Sequence, residues 1–242
     1  MKDAAKTNSP SSFPTTQWGD ILSKRGDTER RELLLAELCK QYWRPLFLFA
    51  RFRGLSVEAA EDAVQDVFAK LVASDFLEAL DPARGRLRSY LRKVMDNTLS
   101  HRREKASARK RGGSKQIIPL DHGWAERSLA DSTSESPEQA YDRSWARQVM
   151  DAAFSRLEQE YRSGYRKGPF EVIKAVFAAD AAPAYGDVAA KYDMSLPQVK
   201  SFVHRGRVRF RELVLEEVSR TVAHTTDAQA EMSSLIAALY SS

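Results

Sequence analysis

The sequence predicts an all-α fold of two small helical domains joined by a flexible acidic linker. Three observations carry this expectation. Apolar residues recur at helical spacing through most of the chain. Strand signals are scarce, with no clear alternating run and no Asn-Gly or Asp-Gly hairpin. The periodic blocks are separated by a stretch rich in acid, Ser and Thr. A helical chain of 242 residues fits two domains better than one.

The elements follow in order. Residues 1–27 carry no sustained pattern and are expected to be disordered, with Trp18, Ile21 and Leu22 able to dock. A helix over 28–53 places Leu34, Leu35, Leu38, Tyr42, Leu46, Phe49 and Ala50 on one side. Pro45 is expected to kink or split it. Gly54 and Ser56 punctuate, and Ser56 is a good N-cap. The next helix, about 57–73, turns Val57, Ala60, Val64, Val67, Phe68 and Leu71 inward. Asp81-Pro82 and Gly85 mark a turn. A basic helix over 86–105 follows, with Leu87, Leu91, Val94, Met95 and Leu99 inward. These pieces make a first domain of 28–111.

Gly112-Gly113 ends the helical pattern. Residues 112–137 read as linker, and 121–142 hold six acids against one Arg. Periodicity resumes near 138 with Trp145, Val149, Ala152, Ala153 and Leu157. Helices near 169–179, 185–193 and 196–214 complete a second domain, 138–215. The extension 216–242 is weakly amphipathic through Val218, Val222, Leu235, Ile236 and Leu239.

The net charge is only +5, but it is unevenly placed. Residues 84–111 hold 11 Lys/Arg and two acids, Asp96 and Glu104, for +9. Residues 198–211 hold five Lys/Arg and no acid. The rest of the chain is therefore at −9. A single basic run is commonly a solvated helix face. Two of them on amphipathic helices favour a polyphosphate partner.

Other classes are disfavoured. The lone Cys39 allows no internal disulfide. The start MKDAAKTNSPSSFPTTQW has no apolar core of a secretory signal. No run approaches the roughly 18 apolar residues of a membrane span. The expectation is a cytoplasmic protein without membrane contact. The four histidines, His101, His122, His204 and His224, lie at least 20 residues apart, so no metal site is expected. GxSxG, P-loop and GxGxxG patterns are missing. No catalytic residue, no cofactor and no enzyme activity are predicted.

The segment 185–213, YGDVAAKYDMSLPQVKSFVHRGRVRFREL, is the most informative. Tyr185, Val188, Ala189 and Tyr192 stripe a short helix. Met194-Ser195 makes a turn, Ser195 caps the next helix, and Pro197 sits in its first turn. Val199, Phe202, Val203 and Phe210 face inward. Gln198, Lys200, Ser201, His204, Arg205, Arg207 and Arg209 remain for a ligand. Two short helices around a tight turn, the second basic, describe a DNA-reading helix-turn-helix. Its first-turn side chains would reach base edges and its later arginines phosphates. An ordinary helical hairpin with a soluble face is the competing reading.

VKSFVHRGRVRFREL resembles the last helix of bacterial RNA polymerase sigma factors of the extracytoplasmic-function type, in the sigma-70 family. AAEDAVQDVFAKLV, 59–72, resembles that family's core-polymerase-binding helix. RGRLRSYLRKVMDNTLSHRRE, 84–104, resembles its promoter-melting segment. The order and spacing match over about 29–215. YWRPLFLFARFRG, ARKRGG and LEEVSRTV are similar to a subset with a carboxyl-terminal extension.

The resemblance implies a sigma region 2-like domain at 28–111 and a region 4-like domain at 138–215. It implies core RNA polymerase and promoter DNA as partners, and leaves an anti-sigma factor or other regulatory protein open. Asp62, Gln65, Asp66 and Ala69 share a helix face, which the resemblance assigns to polymerase; without it the face reads as solvated surface. Arg88, Arg92, Lys93, Asn97, Arg102 and Arg103 are assigned to minus-ten DNA, with a flipped-base pocket around Asp96-Asn97-Thr98. Tyr90 shares the spacing of Leu87, Leu91 and Val94, which fits the core better than base stacking. Many relatives carry an aromatic near position 91, which is Leu here. The helix-turn-helix is assigned to the minus-thirty-five element. The rivals are a stand-alone helix-turn-helix regulator and, more remotely, a helical nuclease.

Overall fold

The computed structural model describes residues 28–73, 86–108, 135–165, 169–177, 183–222 and 227–240. The expected amino-terminal segment, the 81–85 turn, Gly112-Gly113, nearly all of the linker, His122 and His224 lie outside these residues, as does the side chain of Leu34. Every regular element among the described residues is a helix. They are α1 (Thr28–Phe52), α2 (Val57–Ala73), α3 (Leu87–Ala108), α4 (Pro137–Arg162), α5 (Phe170–Phe177), α6 (Tyr185–Lys191), α7 (Leu196–Ser219) and α8 (Ala228–Tyr240). None of them is long and apolar enough to cross a membrane.

Helix α1 is the axis of the first half. Pro45 lies inside it and does not split it. The reason is the packing around the proline: Leu46, Phe47, Leu48, Phe49 and Ala50 are all buried, so neighbours hold the helix on every side. It ends in a reciprocal C-cap. The Leu55 N–H donates to Ala50 O at 3.3 Å and the Gly54 N–H to Arg51 O at 2.9 Å. Gly54 sits at φ +86°, a conformation natural to glycine. Ser56 then caps α2, its Oγ accepting from the Ala59 N–H at 3.2 Å. Helices α2 and α3 close this half with Ala60, Ala63, Val64, Val67, Phe68, Leu71, Leu87, Leu91, Met95 and Leu99.

Helix α4 starts one residue earlier than the periodicity suggests. Ser136, Pro137 and Gln139 form a capping box with proline in the first turn. At 26 residues the helix is about 39 Å long. Its first half buries Tyr141, Trp145 and Val149 and packs on α1, the most extensive helix pair among the described residues. Its second half carries the helix-turn-helix. Phe154 meets Phe170 at 5.4 Å and Phe210 at 6.1 Å, and Tyr161 meets Phe202 edge-on at 5.6 Å. The buried side chains of both halves therefore form one continuous cluster. Helix α8 returns to cover α4 and α7, burying Ala228, Glu231 and Leu235.

Candidate nucleic-acid and protein interfaces

The helix-turn-helix forms as its sequence directs. Ser195 caps α7: its Oγ accepts from the Gln198 N–H at 3.4 Å, and Gln198 Oε1 accepts from the Ser195 N–H at 2.8 Å. The turn is two residues wider than Met194-Ser195, spanning 192–195. Asp193 adopts φ +50°, and the Met194 N–H donates to Ala189 O at 3.0 Å. Val199, Phe202 and Val203 are buried. Gly206 is a contact the sequence reading did not single out. A Cβ there would stand 2.7 Å from Ile173 Cδ1, so glycine lets α7 lie directly on α5.

Gln198, Lys200, Ser201, His204, Arg205 and Arg207 all face solvent. Arg205 donates to Ser201 Oγ at 2.8 Å, which steadies it along the face. Arg211, unassigned from sequence, is exposed too. Arg209 is placed differently. Glu160 of α4 receives its guanidinium at 2.6 and 3.0 Å, and Glu212 and Glu216 add bonds at 2.9 and 3.1 Å. The hydrogen bond to Glu160 leads the effects that carry Arg209 above the usual guanidinium value, despite partial burial. Arg156 continues the network to Glu216 at 2.6 Å and to buried Glu217 at 2.7 Å. These acids and arginines clamp α7 to α4.

The second face lies on α2. Gln65, Asp66 and Ala69 are exposed and Asp62 is half-exposed, so the four share one accessible surface. Arg102 of α3 reaches across, at 2.6 Å from Asp66 and 4.0 Å from Asp62. Glu61, the neighbouring acid, is buried instead.

The basic helix α3 is divided. Lys93, Asn97 and Arg103 face solvent, and Arg92 and Arg102 are half-buried. Of the 96–98 triplet only Asn97 is open. Thr98 is buried, donating to Val94 O at 2.8 Å and accepting from Lys70 at 2.9 Å. Asp96 binds Arg53 at 2.9 Å, and Arg53 also bridges to Glu138 at 2.9 Å. Tyr90 is half-buried against the core, which pushes its phenol up.

Arg88 is 7% exposed. Its Nε donates to Glu231 Oε1 at 2.5 Å and its Nη2 to Oε2 at 3.3 Å. Its Nη1 donates to Asp142, its guanidinium lies 4.7 Å from the Trp145 ring centre, and Tyr141 donates to its carbonyl at 2.9 Å. Burial alone would lower the Arg88 guanidinium, but Glu231 and Asp142 carry it above its usual value. Arg86 meets the same Glu231 at 2.9 Å.

The described residues contain no group of three or more His, Cys, Asp or Glu able to hold a metal. Burial alone raises the Cys39 thiol, as suits a structural cysteine.

The described residues thus present an open basic helix in the helix-turn-helix, a second basic helix, and an acidic face adjoining it. Residues 38–109 match the family model described as Sigma-70 region 2. The match runs from the middle of α1 to the end of α3. No curated protein and no solved structure matches the chain.

Proposed function

We propose that the protein is a sigma factor of the extracytoplasmic-function type, with a carboxyl-terminal extension. It binds core RNA polymerase and directs it to a class of promoters. The observation that carries the reading is the region 2 match, which spans the acidic face of α2 and the basic face of α3. Polymerase meets Asp62, Gln65, Asp66 and Ala69. The minus-ten element meets Lys93, Asn97, Arg103, Arg92 and Arg102, with Arg88 available only if its acids let go. The minus-thirty-five element meets α7 through Gln198, Lys200, Ser201, His204, Arg205 and Arg207. The acidic linker spans the polymerase channel. An anti-sigma factor is a fitting further partner for these faces.

The test is transcription in vitro with purified core polymerase on native templates. The protein should produce new promoter-specific transcripts, and Asp66→Lys should abolish them. No new transcript from any template would overturn the reading. The exposed recognition helix also fits a stand-alone regulator. That reading requires tight duplex binding without polymerase, whereas the sigma reading requires weak, salt-sensitive binding until polymerase joins.

A further inference from the structure

We propose that the carboxyl-terminal helix α8 is an autoinhibitory latch that withholds Arg86 and Arg88 from nucleic acid through Glu231. The proposal rests on the reading that α3 is a DNA-facing helix. Both arginines stand at the start of the most basic segment of the chain, 84–111. Glu231 is fully buried and comes from 143 residues away along the chain. One carboxylate oxygen takes the Arg88 Nε, and the other takes the Arg88 Nη2 and the Arg86 Nη1. Two oxygens in a guanidinium fork are also what a nucleic-acid phosphate offers. The carboxylate therefore uses the donors that a phosphate would use, and the two ligands exclude each other.

The helix that delivers Glu231 is built to leave. It has 13 residues, too short to be stable alone in water. Its buried apolar anchors are Ala228 and Leu235, with Met232, Ala238 and Leu239 partly buried against the core, while Ile236 and Tyr240 remain exposed. Beside these contacts the attachment is polar: Glu231 on the two arginines, and Ser234 Oγ accepting from Arg86 at 3.0 Å. Asp142 of α4 holds the remaining edge of Arg88, so the guanidinium stays paired on one side when α8 lifts. Strand binding and α8 docking are then linked, and each must weaken the other.

The experiment uses the full chain and a labelled 20-nucleotide thymidine strand. Glu231→Gln keeps the shape of the side chain and removes its charge. It should bind the strand roughly tenfold more tightly at low salt, and its salt slope should steepen by about 1.4 for two released arginines. In the native protein, saturating strand should strip hydrogen-exchange protection from amides 228–240 and leave α4 protected. Unchanged affinity and slope in Glu231→Gln, or α8 protection retained at saturation, would overturn the latch. Failure of both proteins to bind the strand at any salt overturns it as well. Neither readout needs polymerase. Release of α8 in a protein that yields no transcript would refute the sigma reading and leave the latch standing.

Discussion

The two basic helices resemble each other in sequence and differ in what the fold does to their charge. On α7 six of the seven candidate residues face solvent, and only Arg209 is withdrawn. On α3 three of six are open, two are half-buried, and Arg88 is enclosed by acids from α4 and α8. A count of cations along the chain treats the helices alike. Their availability depends on carboxylates that arrive from elsewhere. Glu160 lies 49 residues from Arg209, Asp142 54 residues from Arg88 and Glu231 143. The α7 clamp fixes a helix against its scaffold. The α3 clamp occupies the face proposed to meet DNA.

Removing one arginine from each helix breaks the comparison most sharply. Arg88→Ala leaves Glu231 buried with only Arg86 beside it, and should cost roughly 3 kcal/mol, near the lower end for breaking a buried pair. Arg205→Ala removes an exposed side chain and should stay within about 0.5 kcal/mol of the parent. Urea unfolding of both variants measures the gap. Equal midpoints would mean that the Arg88 enclosure contributes nothing to folding.

Within α7 the same contrast can be drawn between Lys200 and Arg209. Arg209→Ala should lower stability by about 1–3 kcal/mol through the unpaired acids it leaves, with little change in the salt slope of duplex binding. Lys200→Ala should do the reverse, leaving stability alone and reducing the slope by about 0.9 if it meets a phosphate. A reduced slope in Arg209→Ala would show that the clamp opens on DNA.

How much of this was legible follows the same division between local and distant. Helix identity was legible, because apolar spacing is local. So were the caps at Ser56 and Ser195, and the burial of Val64, Val67, Val199 and Phe202. The capping box at Ser136 and Gln139 was written in the sequence but lay in a polar stretch that reads as linker. Pro45 does not split its helix: the cost of proline is a local rule, while the burial around it that holds the helix together is not. Asp193 was missed because its left-handed backbone is not unique to any residue type. The pairs that divide α3 left no signal at all, since nothing in a lone Glu231 names its partner.

The junction between the halves should also respond to pH. Tyr42 and Tyr141 are fully buried on α1 and α4, and burial pushes both phenols up. The folded state thus favours their neutral form. Their contribution is fully present below the ordinary phenol value near 10 and is lost as pH rises through the raised values. In an alkaline titration, phenolate absorbance from these two should appear only together with loss of helix signal, and Tyr42→Phe should flatten the loss. Ionisation of every tyrosine near pH 10 with helices intact would show that the junction admits water.

The smallest effect on stability is expected at the acidic face. Asp66 and Arg102 form an ion pair at 2.6 Å, with the Asp66 side chain 50% exposed. Solvent on that side makes such a pair worth at most about 1 kcal/mol, against several for the enclosed Arg88. On the proposed reading the weakness has a use. An acid held loosely by its own chain can exchange Arg102 for a partner's cation at little cost, whereas Glu231 can leave Arg88 only by undocking a helix. Asp66→Asn should therefore leave the unfolding midpoint nearly unchanged and weaken polymerase binding, and Arg102→Ala should leave polymerase binding unchanged or strengthen it. If Arg102→Ala instead weakens binding as much as Asp66→Asn, the pair itself is the recognised surface, and Asp66 does not act alone.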